Sequence, residues 1–169
     1  KAMHDALSVL AITPKGGLFH APNLYMEKIA IGANYPKNIV DLDKSPQENV
    51  KALAEFKNVS PSQIGVCVLD RPRHAGLIAS LREVGARVYL IPDGDVAGVI
   101  FTTKSTSDAD MYMGTGGGPA GVLAAAAIKC LGGQFEGRFI IKSESDKQVA
   151  LKSGLENLKQ KLSVDDLIK

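Results

Sequence analysis

Three short strings in this chain bring together residue types that could do chemistry. Asp70-Arg71-Pro72-Arg73-His74 places two guanidinium groups around a proline. Arginine forks match phosphate oxygens in geometry and charge, and the free N–H groups of a helix start would add to such a site. A solvated surface pair is the plainer alternative, and His74 alone reads as a surface residue at a helix start. Asp93-Gly94-Asp95 sets two carboxylates on one tight turn. They could hold a divalent cation or accept hydrogen bonds from sugar hydroxyls, or simply make a turn with an Asp helix cap. The twelve-residue calcium loop is absent, because Gly98 and Val99 fall where further oxygen ligands belong.

The third string, Gly114-Thr115-Gly116-Gly117-Gly118-Pro119-Ala120-Gly121, is the most distinctive. Glycines there would let backbone N–H groups approach an anion at the start of a following helix. From Gly116 it also satisfies G-x-G-x-x-G. A dinucleotide fingerprint, however, opens the first strand–helix–strand unit and has an acidic residue about 20 positions on. Here the glycines come late, and the nearest acidic candidate, Glu136, precedes its strand. No G-K-[ST] follows, so the string is not a P-loop. His4 and His20 form no triad or H-E-x-x-H spacing with neighbours, which leaves serine, cysteine and zinc hydrolysis without support.

The elements that must position these strings alternate. Ala6 to Ile12 is a short apolar run closed by Pro14-Lys15-Gly16-Gly17, and Tyr25 to Ile31 alternates as a strand does. Ser45-Pro46 starts a helix that carries Val50, Leu53, Ala54 and Phe56 at mainly three- and four-residue spacing, and Ser60-Pro61-Ser62 starts a single turn. Gly65 to Asp70 reads as a buried strand, and Arg73 to Val84 as a helix that Gly85 ends. Arg87 to Ile91 is the next strand, with a short helix from Val96 to Phe101. Asp110 to Met113 is another strand, the glycines its loop, and Ala120 to Leu131 the next helix. A strand follows near Gly137 to Ile141, and the tail from Asp146 reads as a polar amphipathic helix. Strand–helix–strand repetition from Gly65 to Leu131 predicts parallel strands, with ligands beyond their carboxyl ends. The loops after Leu69, Ile91 and Met113 are therefore expected to meet.

Composition narrows the classes. The 169 residues are 45% hydrophobic and 22% charged, which excludes a disordered chain. Twenty Lys+Arg against eighteen Asp+Glu give a formal +2, too little for non-specific binding to nucleic acid or a membrane. Two cysteines, Cys67 and Cys130, exclude a disulfide scaffold and read as buried apolar residues. No apolar run is long enough for a transmembrane helix, and the first residues do not read as a signal peptide. A cytoplasmic protein is expected, and the start without Met or a polar lead-in suggests one segment of a longer chain.

Taken in order, APNLYMEKIAIG, DRPRH, LIPDGDVAGVI and GTGGGPAGVLAAAAIKCLGG resemble the class II (GlpX-type) fructose-1,6-bisphosphatases, over about Ala6 to Ile141. Cyanobacterial members of that family also act on sedoheptulose-1,7-bisphosphate. The resemblance implies an α/β fold, part of an inositol-phosphatase-like layered α/β/α/β/α sandwich. It also implies hydrolysis of the 1-phosphate with Mg²⁺ or Mn²⁺, in gluconeogenesis or the Calvin cycle, in the cytoplasm or a plastid. Tyr25 matches the family tyrosine on substrate, and Arg71, Pro72 and Arg73 match the phosphate-binding segment. Asp93, Gly94 and Asp95 match the turn that holds the sugar, and Gly117 a glycine that touches substrate.

Two departures accompany the match. The family's GGxPEG motif has a metal-ligating Glu where this chain has Ala120, and a methyl group cannot coordinate a cation. The family's other metal carboxylates belong to a DPxEGT-like motif expected upstream of Lys1, and its last strand is expected beyond Lys169. Residues 1–169 are thus expected to be the sugar-phosphate-binding part of a bisphosphatase, weak or inactive alone, with no catalytic group assigned. A homo-oligomer, or association with an N-terminal metal-binding segment, is the partner the resemblance implies. A non-catalytic sugar-phosphate sensor and a dinucleotide-binding domain are the alternatives.

Overall fold

The computed structural model of the chain describes residues 8–169. In chain order the strands are β1 (Tyr25–Ile31), β2 (Gly65–Leu69), β3 (Arg87–Ile91), β4 (Met111–Gly117), β5 (Gln134–Phe139) and β6 (Leu162–Ser163). The helices are α1 (Pro46–Lys57), α2 (Ala75–Glu83), α3 (Asp95–Phe101), α4 (Gly118–Leu131), α5 (Glu144–Lys152) and α6 (Val164–Leu167). Single 3₁₀ turns lie at Pro61–Gln63 and Pro72–His74.

The strands form one sheet in the order β3-β2-β4-β1-β5-β6. β2 pairs in parallel with both β3 and β4, as strand–helix–strand repetition predicted. β1 is antiparallel to both β4 and β5, so the sheet is mixed. Alternation along β1 sorts two cores: Met26 and Ala30 pack on the α3–α4 side, and Ile29 and Ile31 on the α1–α2 side. This α/β class is the one the sequence predicted.

Local chemistry explains the ends of these elements. Ser45 and Glu48 make a reciprocal capping box at the start of α1, with Pro46 in its first turn. Asn58 closes α1 in the left-handed region at φ 53°. All five residues of β2 are buried, as a central parallel strand requires. Gly85 ends α2 at φ 89°.

Several expectations are corrected. Residues 8–12 form no strand, and Leu10 and Ile12 are 83% and 85% exposed. Ala6, Leu7 and His4 lie outside the described residues. The glycine string is not a loop: β4 continues through Gly117, paired residue by residue with β1, and α4 starts at Gly118. The strand near Gly137 to Ile141 instead spans Gln134–Phe139. The tail is not one helix. α5 ends at Lys152, Gly154 turns the chain at φ 91°, and β6 then adds to β5. Cys67 is buried as expected, but Cys130 is exposed, because it lies on the outer side of the last turn of α4.

Candidate functional site

β2 and β4 are parallel neighbours whose following helices leave on opposite sides of the sheet. α2 packs into the core with α1, and α4 into the core with α3. In sheets of this kind a ligand is expected in the region beyond the carboxyl ends of two such strands. The loop after β2 supplies Arg71, Pro72 and Arg73 to it, and the end of β4 supplies Thr115 to Gly117. The turn after β3 supplies Asp93 to Asp95, and the start of β1 brings Tyr25, which is opposite Gly117 in the ladder.

The eight residues singled out in the sequence therefore share one end of the sheet, and they are interlocked. Arg71 donates from Nη1 to the Pro92 carbonyl at 2.5 Å and from Nη2 to Asp93 at 3.2 Å. Pro72 opens the 3₁₀ turn that swings the next residue back over the sheet. Arg73 donates from Nε to the Thr115 carbonyl at 2.9 Å, and its guanidinium lies 5.2 Å from the ring centroid of Tyr25. Among the described residues Arg73 has no acidic partner, so its terminal amino groups remain available at the surface. Gly94, at φ 83°, turns the chain so that the flanking carboxylates diverge. Asp93 faces solvent, whereas Asp95 points inward.

What Asp95 meets is a lysine that sequence reasoning missed. Lys28, on β1, is 1% exposed and donates to Asp95 Oδ2 at 2.5 Å and to the Gly117 carbonyl at 3.0 Å. Burial pulls this ammonium below the ordinary lysine range, and the Asp95 charge and hydrogen bond pull the other way. A signal was present: Met26, Lys28 and Ala30 share one face of β1, and the lysine interrupts an otherwise apolar row.

His74 is corrected from a surface residue to a buried one, 2% exposed. Its Nδ1 lies 2.8 Å from the Leu69 carbonyl, and its Nε2 accepts the Thr115 N–H at 2.8 Å. A carbonyl on one side and an N–H on the other fix the neutral tautomer protonated at Nδ1. The ring thus ties the end of β2 to β4, 41 residues on. Beside it, the fully buried Tyr112 hydroxyl has no hydrogen-bond partner among the described residues.

The glycines make room for these groups. A Cβ at Gly114 would sit 3.3 Å from His74 Cε1, one at Gly116 2.6 Å from Asp95 Oδ2, and one at Gly121 2.5 Å from Met26 Sδ. At Gly118 it would lie 2.5 Å from Phe139. The G-x-G-x-x-G positions face the protein's own side chains, which removes the support for a dinucleotide site. Gly117 differs, with nothing within 4 Å of a Cβ.

The family model of bacterial, glpX-encoded fructose-1,6-bisphosphatase matches residues 1–169. The chain belongs to this family. It is 47% identical over 141 residues to the D-fructose 1,6-bisphosphatase class 2/sedoheptulose 1,7-bisphosphatase of Synechocystis sp.. To the proteins of that name from Microcystis aeruginosa and Synechococcus elongatus it is 46% and 45% identical. These alignments cover 82–83% of the chain and 40–41% of each relative. The chain thus spans about two fifths of the length of the curated relatives it matches.

A divalent cation is the cofactor the family implies. Among the described residues no three His, Cys, Asp or Glu side chains come together to hold one. Asp95 is engaged by Lys28, and position 120, in the first turn of α4, offers only a methyl group. These residues do not by themselves fit the ion. No helix among the described residues is long and apolar enough to cross a membrane.

Proposed function

We propose that residues 1–169 are the substrate-binding part of a class II sugar bisphosphatase, one that takes fructose-1,6-bisphosphate or sedoheptulose-1,7-bisphosphate. The observation that carries this reading is the Arg73 guanidinium. It is oriented by the Thr115 carbonyl and the Tyr25 ring, yet has no carboxylate partner among the described residues. A fork held in place but uncommitted suits a phosphate group.

Arg71, already paired with Asp93, supports the turn after β3 more than it offers a second free fork. Pro72 sets the backbone between the two arginines, and Gly94 splits the carboxylates. Asp93 and Asp95 are the acceptors for sugar hydroxyls, Gly117 gives the ligand a close approach to backbone, and Tyr25 covers the arginine. Arginines and carboxylates bind and orient but supply no activated water. Hydrolysis by this family with Mn²⁺ or Mg²⁺ would need metal carboxylates beyond those described here. The reading places the protein in the cytoplasm, working as a homo-oligomer or together with a metal-binding segment.

Calorimetric titration of the folded chain, without metal, with fructose-1,6-bisphosphate and separately with NAD tests this. Uptake of the sugar bisphosphate that falls roughly tenfold or more in Arg73→Ala, the scale of a lost charged hydrogen bond, is the expected result. Binding of NAD alone, or of the sugar bisphosphate unchanged by Arg73→Ala, would overturn it. The second reading, a sensor that binds without hydrolysing, draws on Ala120 and predicts the same titration. With a metal-binding segment supplied, Ala120→Glu would leave such a sensor inactive but raise hydrolysis in a bisphosphatase.

A further inference from the structure

We propose that Lys28 is a positioning residue that locks the Asp95 carboxylate and the Gly117 carbonyl into one unit for recognising the sugar. It leaves the phosphate fork at Arg73 independent. The inference rests on the reading above, in which Asp95 and Gly117 face the sugar.

Lys28 has essentially no accessible surface, so it cannot touch a ligand and must act through its partners. Those partners come from two separate segments, the turn after β3 and the end of β4, and both are proposed ligand contacts. One ammonium reaches both, at 2.5 Å and 3.0 Å. Asp95 Oδ1 meanwhile accepts the Val96 N–H at 3.1 Å, so the carboxylate is held at both oxygens. Each oxygen keeps a lone pair, and the side chain remains 14% exposed for a hydroxyl to reach it.

The surroundings are cut to fit this lysine. Its cross-strand neighbours are Gly114 on β4 and Gly137 on β5. A Cβ at Gly121 would lie 3.3 Å from its Cε, and one at Gly116 3.2 Å from its Nζ. Gly116 and Gly121 thus leave room for the end of this side chain. Burying an ammonium is a costly way to hold a sheet that a methionine could pack, and that cost is explained if the charge orients a carboxylate. The other charged group acting on it is Arg73, which disfavours the ammonium. The two cations share no hydrogen-bond acceptor, one being held inside by Asp95 and Gly117 and the other at the surface by Thr115.

The test is calorimetry of the chain and of Lys28→Met with fructose-1,6-bisphosphate and with inorganic phosphate. The expected result is a loss of roughly tenfold or more for the sugar bisphosphate in Lys28→Met, the scale of one hydrogen bond to a charged group. Inorganic phosphate should stay within about twofold, because its fork does not depend on Lys28. Equal losses for both ligands would reduce Lys28 to a structural residue, and unchanged affinity for both would remove its role. Both results overturn the proposal. Failure of the unsubstituted chain to bind the sugar bisphosphate more tightly than phosphate would instead sink the underlying reading, and the inference with it.

Should Lys28→Met not fold, the unsubstituted chain labelled with ¹⁵N-lysine decides. The Lys28 Nζ resonance should shift with fructose-1,6-bisphosphate and stay in place with inorganic phosphate. A resonance moved by neither, or equally by both, would overturn the proposal.

Discussion

Gly116→Ala is the sharpest test of the claim that the glycine string makes room for an ion pair. The added Cβ would sit 2.6 Å from Asp95 Oδ2, about 0.8 Å inside ordinary contact, and 3.2 Å from Lys28 Nζ. A free carboxylate would swing aside, but this one is held by Lys28 on one oxygen and by the Val96 N–H on the other. Relief of the clash must therefore stretch the 2.5 Å contact or shift β4 against β1. Overpacking of this kind costs about 1–3 kcal/mol, and we expect about 2 kcal/mol here. For a chain of this size that lowers Tm by about 4–8 °C. Gly117→Ala is the control one residue on: its backbone, at φ −60°, suits any residue, and its Cβ meets nothing. It should cost less than about 1 kcal/mol, mostly through its place at the cap of α4. Urea titration and thermal melts followed by circular dichroism compare the two. A Gly116→Ala chain within about 0.5 kcal/mol of the parent, or a Gly117→Ala chain destabilised as much, would refute the reasoning.

Other substitutions and reagents probe the same structure. His74→Ala removes the partner of both the Leu69 carbonyl and the Thr115 N–H, and should cost about 3 kcal/mol in a urea titration; a cost under about 1 kcal/mol would contradict the bridge. A thiol reagent at neutral pH should modify Cys130 rapidly and Cys67 only after unfolding, since Cys67 is buried and burial pushes its thiol up to about 11; two fast thiols would contradict this. A hydrogen bond from Lys161 holds the Asp41 carboxylate below its ordinary range, and Arg138 and then Lys161 do the same for Asp43. Depressed values in the folded state mean stability that is present above about pH 4 and is lost as pH falls through them. Lys161→Met should therefore lower the urea midpoint at neutral pH, with the gap to the parent narrowing at about pH 3 or below. A gap that is constant with pH would show that the contacts contribute nothing.

The parts of the fold legible in the sequence are those whose signal is local. Ser45 with Glu48, Gly85 after Val84, and the apolar runs at Gly65 and Arg87 each announce their own element, and the structure forms them there. The glycine string misleads because it has no side chains to show a period of two. Only its pairing with Tyr25 to Ile31, about 90 positions away in sequence, makes it a strand. The tail reads as one helix because its charges are well spaced, but β6 exists through its pairing with β5. In the candidate site, the side chains that a loop string announces were found, and those whose role depends on a distant partner were not. Arg71, Arg73, Asp93 and Asp95 belong to recognisable strings. Lys28 and His74 owe their places to Asp95 and Thr115, 67 and 41 residues away, and no string contains such a relation.

The interlocking also decides which charge is left for a ligand. Three cations gather at this end of the sheet, and each spends a hydrogen bond on a carbonyl outside its own segment: Arg71 on Pro92 after β3, Arg73 and Lys28 on Thr115 and Gly117 of β4. These bonds fix the loops to one another before any ligand arrives, so little ordering remains to oppose binding. The two carboxylates then pair off, Asp93 with Arg71 at the surface and Asp95 with Lys28 inside. An exposed pair such as the first contributes little to stability, but it does neutralise a fork that would otherwise compete for phosphate. Of these three, Arg73 keeps its full charge and its terminal donors, at the surface beyond the end of β2. Binding of a phosphate should therefore turn on Arg73→Ala and respond far less to Arg71→Ala, although the two arginines stand one proline apart in the sequence.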